Sequence, residues 1–174
     1  MQPMTYSITK DRAEIEKLAI DIYINQNRSY NFIEGAIILG FNEFGTYKLC
    51  ITIECSVQND FEDSIIQVIK SCPIPIEKLR GCIMCFNVNK LEESHLNYTS
   101  ICKCVDFVDN YARYDCNGAF RPFCNFWAVR TDQPISTNTL RVDVIFSIEK
   151  TEQDKLEDEM HRQMMEEYAK SRYE

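Results

Sequence analysis

Apolar positions fall at helical spacing early in the chain and then alternate. In residues 11–24, Ile15, Leu18, Ala19, Ile22 and Tyr23 recur on one face against Glu14, Glu16, Lys17 and Asp21, which predicts an amphipathic helix. Asp11, three residues before Glu14, supplies a capping box for its first turn. Residues 31–41 are apolar and β-branched, interrupted by Gly35 and Gly40, and read as a strand. In residues 48–57, Leu49, Ile51, Ile53, Cys55 and Val57 alternate with Cys50, Thr52, Glu54 and Ser56, which predicts a strand with one buried face. With a turn at Gly45, these two strands make a hairpin over 31–57. Asp60 caps a second helix over 60–72, which turns Phe61, Ile65, Val68, Ile69 and Cys72 inward and is stopped by Pro73 and Pro75.

From Gly81 the pattern becomes strands and polar turns, at about 81–89, 99–108, 119–130 and 139–149, read as antiparallel strands over 81–149. The last alternates best, with Leu140, Val142, Val144, Phe146 and Ile148 on one face. Thr151 caps a final helix over 151–172, and Asp154 completes its capping box. Leu156, Met160, Met164 and Tyr168 follow at four-residue intervals, so the stripe turns by about 40° per step and predicts an oblique crossing over a sheet. The expected fold class is α+β, a single globular domain over 1–174. It has one curved antiparallel sheet of about six strands, an N-terminal helix, a helix after the second strand, and a long C-terminal helix packed on the sheet.

A chain of 174 residues buries about 70% of its unfolded surface and stands without disulfide staples. The nine cysteines are therefore not needed for folding, and their odd number fits free thiols. The N-terminus has no basic start followed by an apolar stretch, and no run approaches the roughly eighteen apolar residues of a membrane span. A cytoplasmic or nuclear location with reduced thiols is expected. The glycosylation-type triplets Asn27-Arg-Ser and Asn97-Tyr-Thr would fit a secreted chain instead. A net charge of −8 opposes general nucleic-acid binding, and Arg121, Arg130 and Arg141, the only seeds of a basic patch, read as exposed partners of nearby acids.

Candidate chemistry is sparse. Zinc needs four ligands around one point, yet strand alternation sends Cys82 and Cys85 to opposite faces, while Cys102 and Cys104 share a face at a spacing unlike a zinc knuckle. These four are weak metal candidates, and small core hydrophobes are the better reading. Thiol catalysis needs a neighbouring base, and the only histidines are His95, in a polar loop, and His161, on the charged final helix. The acids of residues 149–174 pair with bases at helical spacing, and no glycine loop could cradle a phosphate, so no cofactor is expected. Two apolar features remain: Phe120, Phe123, Phe126 and Trp127 load both faces of one strand, and Met160, Met164, Met165 and Tyr168 form a yielding surface on the last helix.

The order strand, helix, antiparallel strands, long final helix over 47–174 is similar to the helix-grip arrangement of StART-like lipid-transfer domains, and a PH-like barrel ending in a helix fits it as well. In the StART-like family a curved sheet wraps the final helix around an apolar cavity, which implies a lipid or other apolar ligand. The first expectation is a non-catalytic intracellular binding or regulatory module acting through a protein partner, with those aromatic and methionine residues as its surfaces. The second is a lipid or apolar-ligand carrier lined by the same residues. A cysteine-dependent enzyme is third.

Overall fold

The computed structural model describes residues 4–25, 45–57, 61–72, 75–90, 96, 98–113 and 117–173. The order is β1 (Thr5–Thr9), α1 (Arg12–Asn25), β2 (Gly45–Ser56), α2 (Phe61–Ser71), a 3-10 turn (Ile76–Lys78), β3 (Leu79–Asn87), α3 (Tyr98–Arg113), β4 (Cys124–Arg130), β5 (Thr139–Glu149) and α4 (Glu152–Tyr173). The class is α+β, as the periodicities require. Among the described residues the sheet has five strands, where about six were expected, in the order β1-β2-β5-β3-β4. It is mixed rather than antiparallel, because β3 pairs parallel to β4 while the other three ladders are antiparallel. The 31–41 strand and His95 lie outside the described residues.

The parallel pair follows from the main departure from expectation. Residues 99–108, read as a strand, belong to helix α3, whose buried residues Ile101, Cys104, Val108 and Ala112 recur at three- and four-residue steps. Parallel neighbours need a crossover of a dozen or more residues, and α3 supplies it. The short strand β1, which the pattern did not predict, adds an exposed edge beside β2, with Thr5 opposite Glu54 and Thr9 opposite Cys50.

Both faces of the central strands are covered, where alternation predicted one. On one face Ile51, Ile53, Met84, Phe86, Val142, Val144 and Phe146 meet α2 and α3 through Phe61, Ile65, Ile69, Ile101 and Val108. On the other, Tyr47, Cys50, Ile83, Cys85, Phe126 and Ile145 meet Ile15, Ala19 and Ile22 of α1. The middle of the polar parity of β2 and β5, Thr52 and Asp143, is thereby enclosed and hydrogen-bonded internally. Thr52 donates to the Asp143 carboxylate at 3.0 Å, and the Asn87 amide donates to the same carboxylate at 2.9 Å and to the Arg141 carbonyl at 3.0 Å. Beside it the Arg130 guanidinium, 1% exposed, donates to Asp21 at 2.9 Å and to Asp132 at 3.0 and 3.1 Å.

With both faces taken, α4 has no sheet to lie on. The expected packing of the C-terminal helix on the sheet is overturned, since Leu156, Met160, Met164 and Tyr168 are all exposed. Only its first turns are anchored.

Candidate binding surface

The anchor of α4 is a reciprocal cap joined to an ion-pair cluster. The Thr151 hydroxyl accepts from the Asp154 amide at 3.1 Å, and the Asp154 carboxylate accepts from the Thr151 amide at 2.9 Å. The same buried carboxylate accepts from Lys48 Nζ at 2.8 Å. One turn on, Asp158 takes Arg12 at 2.7 Å and Lys150 at 2.9 Å, while Arg12 also reaches Glu16 at 2.8 Å and Glu157 at 3.4 Å. Burial alone would raise the Asp154 carboxyl; the Lys48 ammonium and the Thr151 amide outweigh it and hold it below the ordinary carboxylate value.

Beyond this foot every residue from 159 to 172 is exposed, a helical arm of about 21 Å at 1.5 Å per residue. Its apolar side chains stand in water: Leu156 at 55%, Met160 at 55%, Met164 at 66%, Met165 at 56% and Tyr168 at 62% exposure. On the far side Arg162 bridges Glu159 and Glu166, and Lys155 holds Glu152 at 3.3 Å, so these cations are taken up by acids of the same helix. The four predicted residues Met160, Met164, Met165 and Tyr168 thus share one accessible helix. Leu156 extends their stripe toward the foot.

The aromatic segment divides instead. Phe123 is buried with α2 and α3, Phe126 is buried under α1, and Trp127 is half-buried with its ring edge-on to Tyr98 at 5.9 Å. Only Phe120 is well exposed, and the Arg113 guanidinium lies 5.2 Å from its ring centre. These residues do not form one surface; strand parity separates them across the core.

The cysteines are likewise dispersed. All eight described ones are free thiols, and Cys82 and Cys85 face opposite sides of the sheet, as alternation requires. Cys102 and Cys104, expected on one strand face, lie on α3, where a two-residue step puts them on different sides: Cys104 enters the core and Cys102 is half-exposed. No three His, Cys, Asp or Glu side chains among the described residues gather to hold a metal ion. Burial pushes Cys55 up to about 11 and Cys104 up to about 12, and burial beside Asp143 pushes Cys50 up to about 12, so these thiols stay protonated at neutral pH.

A cleft of about 290 Å³ opens at the foot of α4, lined by Arg12, Glu16, Tyr47, Lys150, Asp158 and His161 among others. Its cations are already held by Glu16 and Asp158, which leaves no unpaired positive charge for an anion. The pairing of Arg130 with Asp132 and of Arg141 with Asp143 is the expected one with nearby acids, but Arg130 is buried rather than exposed; the foot cluster and the Arg130–Asp21 pair were not foreseen, since Asp21 is 109 positions from Arg130 and Asp158 is 146 from Arg12.

No protein-family model matches the chain, and no curated protein matches it. Among solved structures it is similar to a GTPγS-form protofilament of TubZ from Bacillus thuringiensis serovar israelensis, with 9% identity and a TM-score of 0.33 over 68% of this chain and 30% of that one. A likeness at that level carries no argument about function. Among the described residues no helix is long and apolar enough to cross a membrane.

Proposed function

We propose that this chain is a non-catalytic intracellular binding module that docks a protein partner on the exposed face of α4. The observation that supports it most is the row Leu156, Met160, Met164 and Tyr168, each more than half exposed on a helix whose foot is fixed by buried charge. Contiguous apolar surface of this kind marks a contact site more often than a solvated face does. Methionine suits such a role because its unbranched side chain adapts to the partner's shape.

The protonated, dispersed cysteines favour a non-catalytic role over thiol chemistry. The burial of Phe123 and Phe126 in separate halves of the core weighs against a lipid cavity lined by those aromatics. A test compares proteins that co-purify from the source cells with the native chain and with the double variant Met160→Ser, Met164→Ser. The expected result is loss of a partner with no change in melting temperature. An identical set of co-purifying proteins, or a native mass showing bound lipid and no partner, would overturn the reading.

A further inference from the structure

The charges that border the apolar row specify what fits it. Glu157 lies three residues before Met160 and seven before Met164; Glu167 lies three after Met164 and seven after Met160. These spacings place both carboxylates on the apolar side of the helix, at either end of the methionine pair. Of the arm's cations, Arg162 is held by Glu159 and Glu166 on the opposite side, Lys170 lies on the flank, and Arg172 follows Tyr168 beyond the end of the row, so the charged residues that border the methionine pair itself are the two carboxylates. At the foot, the three cations Arg12, Lys48 and Lys150 meet the four carboxylates Glu16, Asp154, Glu157 and Asp158, so negative charge is in surplus beside the row.

This pattern decides among the possible occupants. In a second copy packed antiparallel about Arg162, Leu156 would face Tyr168 and Met160 would face Met164. The same register sets Glu157 against Glu167, and a parallel pair sets each glutamate against itself. Like charges so opposed destabilise helix pairs, and the net charge of −8 adds repulsion between copies. A membrane surface is also a poor match, because helices that lie on anionic bilayers carry Lys and Arg beside their apolar face. The row from Leu156 to Tyr168 is about 18 Å long, the length of some three helical turns.

Building on the docking role proposed above, we infer that the occupant is a basic amphipathic helix of a partner protein, about three turns long. Its apolar face lies on Leu156, Met160, Met164 and Tyr168, and its Lys or Arg residues meet Glu157 and Glu167. This is helix-on-helix recognition in which apolar contact supplies affinity and charge selects the partner.

The test titrates the full chain with two synthetic helical peptides of identical leucine face, one with lysine on its polar positions and one with glutamate, read by fluorescence anisotropy. The lysine peptide is expected to bind at least about tenfold more tightly than the glutamate peptide. Met160→Ser with Met164→Ser should weaken it about tenfold at unchanged net charge. Glu157→Gln with Glu167→Gln should weaken it about fivefold, against little change for the charge-matched control Glu14→Gln with Glu54→Gln. Equal binding of the two peptides, equal effects of the two glutamine pairs, or a dimer in sedimentation that Met164→Ser dissolves would overturn the inference. Should those results arise while co-purification of a partner still depends on Met160 and Met164, the docking role survives and only the partner's basic character fails.

Discussion

Asp154 does two jobs with one carboxylate, closing the cap of α4 and neutralising Lys48. Its spacing from Thr151 made the cap legible in the sequence. Its pairing with Lys48, 106 positions away, was not, because periodicity carries no information about which elements meet. The carboxyl is held below its ordinary value in the folded chain, so its contribution to stability is complete above the unfolded pKa and is lost as pH falls through the folded one. Urea midpoints should therefore drop as pH is lowered past about 4, the ordinary carboxylate range. Asp154→Asn should lower stability by about 1–2 kcal/mol at pH 7 and flatten part of that pH dependence. The remaining slope would come from Asp132 and Asp158, which are held low by Arg130 and by Lys150 with Arg12.

Gly45 offers a second test at this scale. A methyl group there would overlap the Ser147 hydroxyl and lie 3.0 Å from the Ile148 carbonyl oxygen and 3.2 Å from Arg80 Cβ. Gly45→Ala should cost about 1–3 kcal/mol in a denaturant titration. Adding Ser147→Gly should recover part of the loss, because the hydroxyl is the nearest of the three obstacles. The sequence showed only a turn residue at Gly45; that β2 starts there, pressed against β5, depends on a register the chain does not display locally.

At the scale of elements, strong periods were readable and mixed ones were not. The final strand, 139–149, and the helices α1, α2 and α4 sit where the apolar spacing put them, to within about two residues at either end. Residues 99–108 misled because Thr99, Ile101, Val105 and Val108 are β-branched, a composition that favours strands even though Ile101, Cys104 and Val108 keep the helical step. The antiparallel expectation fell with it, since a crossover helix there makes β3 and β4 parallel. Asn110 is exposed on α3 and discriminates the two conformations. Asn110→Ala should raise stability by about 0.5 kcal/mol and Asn110→Gly should lower it by a few tenths, the helical ranking. In a strand alanine would bring no such gain.

For the molecule as a whole, the exposed row on α4 and the aromatics Phe123, Phe126 and Trp127, which are buried or half-buried in and just before β4, looked equivalent in sequence, since both are clusters of large apolar side chains. What separates them is the number of layers. Once α1 occupies one face of the sheet, and α2 with α3 the other, an apolar helix added after β5 has no face left to cover. A pattern of polar and apolar residues states that a face wants covering but not whether the same chain covers it. Stability and binding should accordingly part between the two groups. Trp127→Ala, which empties a half-buried site against Tyr98, should lower stability by about 2–3 kcal/mol. Met160→Ser with Met164→Ser should change stability by less than about 0.5 kcal/mol, because these side chains are already hydrated in the free protein. Parallel thermal melts and lysine-peptide titrations would show the split: a low melting temperature with intact binding for the tryptophan variant, and the reverse for the methionine pair. A methionine pair that melts several degrees early would mean that the row is covered within the chain.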